Sequence, residues 1–170
     1  MKLKKITLIF FLFVFTNLQA DTPYFIDFKY VLNESIAGKK AQKDLKNQLD
    51  KGLESIKSRQ KKISEDEKKI IQQKKLLEAE EYKKKVEDLR SQVSKLQTDR
   101  QKLLNSVAKK RAKAKSELLK NVNPLIEQYM KEKNIKMVID KRSLLVANKE
   151  LDITKDITDL LNGKLKSIKY

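Results

Sequence analysis

Leu49, Ile56, Ile63 and Ile70 fall seven residues apart in a stretch, 36–73, that contains no Pro. A seven-residue apolar repeat is one core position of a coiled coil, so this stretch reads as a long helix that needs a partner. Its own second core position is weak. Leu45 fits, but Gly52, Arg59 and Asp66 follow at that spacing, and only Leu53 fills one turn. Gly52 costs the helix about 1 kcal/mol relative to Ala. Half a seam does not hold up a lone helix in water.

The next stretch supplies the other half. Tyr82, Val86, Leu89, Val93, Leu96, Leu103 and Val107 step by four and three, with Arg100 as the one polar interruption. Two heptad helices joined by a short segment are expected to fold back antiparallel. The turn is placed at 74–79, although no Gly or Pro marks it. At 1.5 Å per residue, 36–73 gives an arm of roughly 55 Å. The rhythm breaks after Val107 and resumes at Leu118, Leu119, Val122, Leu125, Ile126 and Tyr129. Pro124 sits inside that run, and the unbroken phase predicts a kinked continuation, not a new helix. Residues 118–133 are expected to leave the coiled coil and pack on a body built from the chain ends.

Composition agrees with long solvated helices. Of the 170 residues, 37% are charged and 6% aromatic, with 3 Gly and 2 Pro. The absence of Cys and His rules out disulfides, the usual zinc sites and Ser-His or Cys-His nucleophile pairs. No glycine-rich phosphate loop is present, and no cofactor is expected. Residues 1–5 carry three Lys, 6–15 (ITLIFFLFVF) are apolar, and 16–20 end in Ala20. That layout reads as a secretory signal peptide, 1–20, cleaved after Ala20. The remaining 150 residues would carry a net charge of +14, from 37 bases and 23 acids.

The ends of the remaining chain (21–35 and 134–170) read as a small β body for oligomerisation. Residues 24–28 (YFIDF), 137–140 (MVID) and 144–147 (LLVA) are expected to be strands, the last two as a hairpin or meander. Asp27 and Ser35 are expected helix caps, and Thr154 is expected to cap a last short helix that Gly163 ends. Tyr24, Phe25, Ile26, Phe28, Met137, Val138 and Ile139 are the expected body core and subunit interface. So small a sheet is marginal by itself and has open edges, which predicts pairing between identical subunits. The expected fold class is α+β, predominantly α: a long antiparallel coiled-coil hairpin arm on a small β-strand body.

Residues 25–35 (FIDFKYVLNES) and 37–39 (AGK) resemble the opening strand and helix start of the Skp (OmpH-like) family of periplasmic chaperones. Residues 135–140 (IKMVID) and 151–154 (LDIT) are similar to its closing block, and the charged helices lie between. Ile36 stands where the family often carries Pro. The resemblance implies a jellyfish-shaped homotrimer in the periplasm. It implies arms that hold unfolded outer-membrane proteins in a cavity and keep them from aggregating without ATP.

The charge distribution suits such a task. Residues 36–133 hold 28 bases and 15 acids. Lys102, Lys109, Lys110, Arg111, Lys113 and Lys115 follow one another with no intervening acid. Lys68, Lys69, Lys74, Lys75, Lys83, Lys84 and Lys85 flank the expected turn. A positive concave surface attracts acidic unfolded chains and speeds capture. Any single lysine reads as an ordinary solvated face; the sum exceeds what solubility requires. Three other readings compete. A basic coiled coil also binds nucleic acid, but lysine without stacking aromatics gives only unspecific phosphate contact. A structural envelope spacer needs no closing strands. Anionic lipid or lipopolysaccharide contact is open to the same charge as an accessory property. No acid pair has catalytic spacing, so an enzyme is not expected.

Overall fold

A computed structural model describes residues 22–170; the expected signal peptide, 1–20, lies outside them. The chain runs β1 (Tyr24–Ile26), α1 (Phe28–Glu34), α2 (Ile36–Gln73), α3 (Ala79–Glu132), β2 (Val138–Asp140) and α4 (Thr154–Lys164). Single 3₁₀ turns at Lys141–Ser143 and Lys149–Leu151 connect β2 to α4. The molecule is therefore mostly helical, with one small strand pair.

β1 is shorter than expected because Asp27 starts a helix. Its Oδ1 accepts from the Tyr30 N–H at 2.8 Å and caps α1. Buried Ser35 then serves two helices. Its N–H closes α1 on Val31 O at 3.2 Å, and its Oγ accepts from Gly38 N–H at the start of α2. The chain turns so tightly there that a Cβ on Gly38 would lie 1.9 Å from the Leu32 carbonyl oxygen. Only glycine fits that approach.

α3 runs through Pro124 as one 54-residue helix. Proline has no N–H to give Lys120 O, yet Leu118, Val122, Leu125 and Ile126 keep one buried face across it. The helix ends in a Schellman motif. Asn134 takes the left-handed conformation (φ 54°), and Ile135 N–H returns to Met130 O at 2.8 Å.

β1 and β2 pair in parallel, Tyr24 opposite Val138 and Ile26 opposite Asp140. Two segments more than 100 residues apart thus meet. Asp152 bridges Phe25, and Ile153 N–H donates to Phe25 O at 3.0 Å, so β1 lies between β2 and this segment. Below lies one core cluster, in which Ile26, Val31, Val122, Ile157 and Leu161 are fully buried. The Tyr129 hydroxyl donates to Asp156, tying α3 to α4, and that bond pushes the phenol up to about 12.

Three sequence expectations are corrected. Residues 144–147 form no strand; Leu145 is fully exposed and Val146 is 89% exposed. Asp140 is the reason. It accepts from the Arg142 N–H and clamps its guanidinium, bending the chain into a 3₁₀ turn where a hairpin would need to reverse. Thr154 does not cap α4. Its Oγ1 accepts from the Asp27 N–H at 2.8 Å, and Asp152 accepts from the Thr154 N–H. One hydroxyl is thus spent on joining the two ends of the chain. Gly163 does not end α4 either: the helix continues through Lys164, because Leu165 N–H still reaches Leu161 O. Of the expected core residues, Phe25 and Ile26 are buried, Tyr24, Phe28, Val138 and Ile139 are half-buried, and Met137 is exposed.

Candidate functional site: the basic helix pair and its junction with the core

α2 and α3 lie along each other over most of α2. Lys110 Nζ donates to Gln48 at 2.9 Å, Leu103 sits over Gly52, and Arg59 pairs with Asp99 at 2.8 Å. Partner numbers fall on α3 as they rise on α2. Leu45, Leu96 and Val107 are buried between them. The α2 row of Leu49, Ile56, Ile63 and Ile70 is half-buried, as are Tyr82, Val86, Leu89 and Leu103 on α3; Val93 is 42% exposed. So narrow a seam leaves the rest of both helices to solvent.

The weak row of α2 acquires a reason here. A Cβ on Gly52 would lie 2.5 Å from a Leu103 methyl, so the glycine is a notch for that leucine. Seven residues on, Arg59 replaces an apolar contact with an ion pair across the seam. Its guanidinium holds the Asp99 carboxyl below the usual carboxylate range, chiefly through their hydrogen bond. Gly52 and Arg59 read as defects in one helix alone. The signal for them lay in Leu103 and Asp99, whose positions relative to α2 depend on the turn.

The candidate bases do not form one cluster. At 100° per residue, Lys109 and Lys113 stand opposite the buried stripe of Val107, Ala114 and Leu118. Lys110 turns in to Gln48 and is half-buried. Arg111 and Lys115 flank the stripe on its other side and point toward α1 and α2, where both line a groove. At the far end, Lys68, Lys69, Lys75, Lys83 and Lys84 are exposed; Lys69 lies 4.0 Å from Asp66. Lys85 is half-buried beside Glu81 at 3.4 Å, and Lys74 sits over the Tyr82 ring at 5.8 Å. Leu76 is 85% exposed between these lysines.

The groove lies where the helix pair meets the core cluster and measures about 740 Å³. Buried Ala41, Leu45, Ala114 and Leu118 form its floor. Lys29, Arg111, Lys115 and Arg142 stand around it, with Asp140 as the one acid. The Arg142 fork binds both oxygens of Asp140 at 2.7–3.1 Å and lowers that carboxyl. The sequence shows these bases but not the groove, which exists only once β2, α1 and α3 converge. Among the described residues no helix is long and apolar enough to cross a membrane, and no group of three or more acids suits a metal ion.

Two long paired helices rising from a small mixed core define an arm-bearing α+β protein. The family model described as outer membrane protein (OmpH-like) matches residues 24–161, and the chain belongs to that family. A crystal structure of a candidate outer membrane chaperone (OmpH-like) from Caulobacter crescentus CB15 superposes with a TM-score of 0.81 at 17% identity. The match covers 89% of this chain and 90% of that one, so the fold is shared over most of both. No match is found among curated proteins.

Proposed function

We propose that this protein is an ATP-independent holdase of the periplasm that captures unfolded outer-membrane proteins and keeps them from aggregating. Its α2–α3 pair is an antiparallel hairpin arm, and the chain ends, 21–35 and 134–170, form an oligomerising body. Three such chains enclose a basic cavity. The observation that carries the reading is the placement of the charge. Residues 36–133 hold 28 bases and 15 acids, and most of these bases lie exposed on the helix pair, away from the core cluster. A surface of that kind attracts acidic chains and holds them by many weak contacts. Lysine stems cover apolar client segments while the ammonium groups stay hydrated. The OmpH-like membership supports the choice of outer-membrane proteins as clients. The exposed Met137, Leu145 and Val146 support a shared body, because they leave apolar surface that a second chain would cover. The same charge admits contact with anionic lipid or lipopolysaccharide, and no specific nucleic-acid readout is assigned.

The test replaces Lys109, Lys110, Arg111, Lys113 and Lys115 with Gln. Binding of a urea-unfolded outer-membrane β-barrel protein after dilution is then followed against salt. We expect weaker binding and a flatter salt dependence. Unchanged affinity and salt dependence would reduce the block to a solvated face.

A further inference from the structure

We propose that the groove at the junction of the helix pair and the core cluster binds an extended acidic peptide segment. An apolar side chain would sit on its floor and flanking carboxylates would meet Lys29, Arg111 and Lys115. The proposal rests on the client-binding reading above and gives it a defined subsite.

The groove is an opening between packed elements, kept wide by small residues. Ala41 and Ala114 face it where longer side chains would fill it, and Leu45 and Leu118 complete an apolar floor. Its volume of about 740 Å³ lies within the range of real ligand sites. The charge around it is one-sided. Asp140 is fully engaged by Arg142, so the carboxylate does not compete for the other bases. Lys29, Arg111 and Lys115 have no acid partner among the described residues. Three uncommitted cations beside an apolar floor favour an anionic ligand with an apolar part.

The walls decide between a peptide and an acyl chain. Gln42 Nε2 donates to Asn33 Oδ1 at 3.0 Å. That leaves the Gln42 carbonyl oxygen and the Asn33 amide nitrogen unpaired beside the floor, with Asn123 opposite. Such donors and acceptors match a peptide backbone. An acyl chain would strip water from them and return nothing. The exposed segment 144–147 of a second copy is a poor occupant, because its residues, Leu-Leu-Val-Ala, carry no acid to meet Lys29, Arg111 and Lys115.

The probe is a dansyl-labelled peptide of alternating Asp and Leu, added at low salt to the full protein and followed by anisotropy. Arg111→Glu/Lys115→Glu is compared with Lys57→Glu/Lys62→Glu, which makes the same charge change on α2 away from the groove. We expect the groove pair to weaken binding roughly tenfold and the control pair no more than about threefold. Equal losses, or no binding by the unaltered protein, would overturn the proposal. The chain has no Cys, so Asn123→Cys can carry a single environment-sensitive dye. The peptide should blue-shift it while a Ser-Leu peptide does not. A shift produced by anionic phosphatidylglycerol vesicles and not by the acidic peptide would also overturn the proposal. Suppression of barrel-protein aggregation is measured alongside. A protein that suppresses aggregation but does not bind the peptide loses the subsite and keeps the chaperone reading; failure in both assays removes both.

Discussion

Arg59 occupies a position where a regular coiled coil would place an apolar side chain, and Asp99 stands beside the α3 row, next to Arg100. Their ion pair is partly exposed, so its contribution is screened and modest. Its pH dependence is nevertheless defined. A carboxyl whose pKa is lowered by folding stabilises the native state above its unfolded value and loses that contribution as pH falls through the folded one. Asp99→Asn should therefore melt below the unaltered protein at pH 7, and the gap should close below about pH 4. A gap that persists at low pH would assign the loss to side-chain packing. Other single residues act through backbone geometry. Gly38 is required by the Leu32 carbonyl, and Asn134 ends α3 in a conformation that most side chains avoid. Nothing in the sequence marks the need for Gly38. That need arises because Ser35 folds α2 back against the end of α1.

At the scale of elements, the two long helices were legible almost to the residue. Heptad spacing is local, and it survives in a chain that offers few other apolar positions. The fit of one helix on the other was not legible, because it depends on the length of the turn at 74–78. Gly52 shows the consequence. In isolation it only weakens α2, yet in the pair it admits Leu103. Gly52→Ala should therefore gain little in the native background. Combined with Leu103→Ala it should recover helix propensity of about 1 kcal/mol. A double-mutant cycle by urea unfolding reads the coupling; strict additivity would mean that Gly52 and Leu103 do not meet. The missing strand at 144–147 belongs to the same scale. Leu-Leu-Val-Ala has strand-like composition, but composition does not provide an edge to pair with. Asp140 and Arg142 turn the chain away before one is reached.

For the whole molecule, the core cluster satisfies Ile26 inside a single chain, where it is completely buried. A charge at Ile26 would unfold the chain and so would not test assembly. Leu145 and Val146 are the informative positions, since they cover nothing within the chain. Leu145→Asp/Val146→Asp should keep the helical circular-dichroism spectrum and lower the native mass from the proposed three chains toward one, since exposed apolar side chains favour association. A native mass unchanged by the pair would place any subunit interface elsewhere. The same arrangement makes folding non-local. β1 pairs with β2 across the whole helix pair, and pairings so far apart in the chain slow folding.

The sequence by itself determined the two long helices, the caps at Asp27 and Ser35, the uneven charge and the resemblance to the OmpH-like family. The helices, caps and charge are written in local spacing or in composition, and the resemblance in the residue runs 25–39, 135–140 and 151–154. Tertiary structure alone decided the parallel pairing of β1 with β2, the Leu103 notch and the diversion of the Thr154 hydroxyl to Asp27. It also decided the split of one basic block into three faces and the groove that two of its bases border. These features depend on distances between residues far apart in the chain. Such distances are set only when the apolar faces of α1, α3 and α4 close on one another and exclude water.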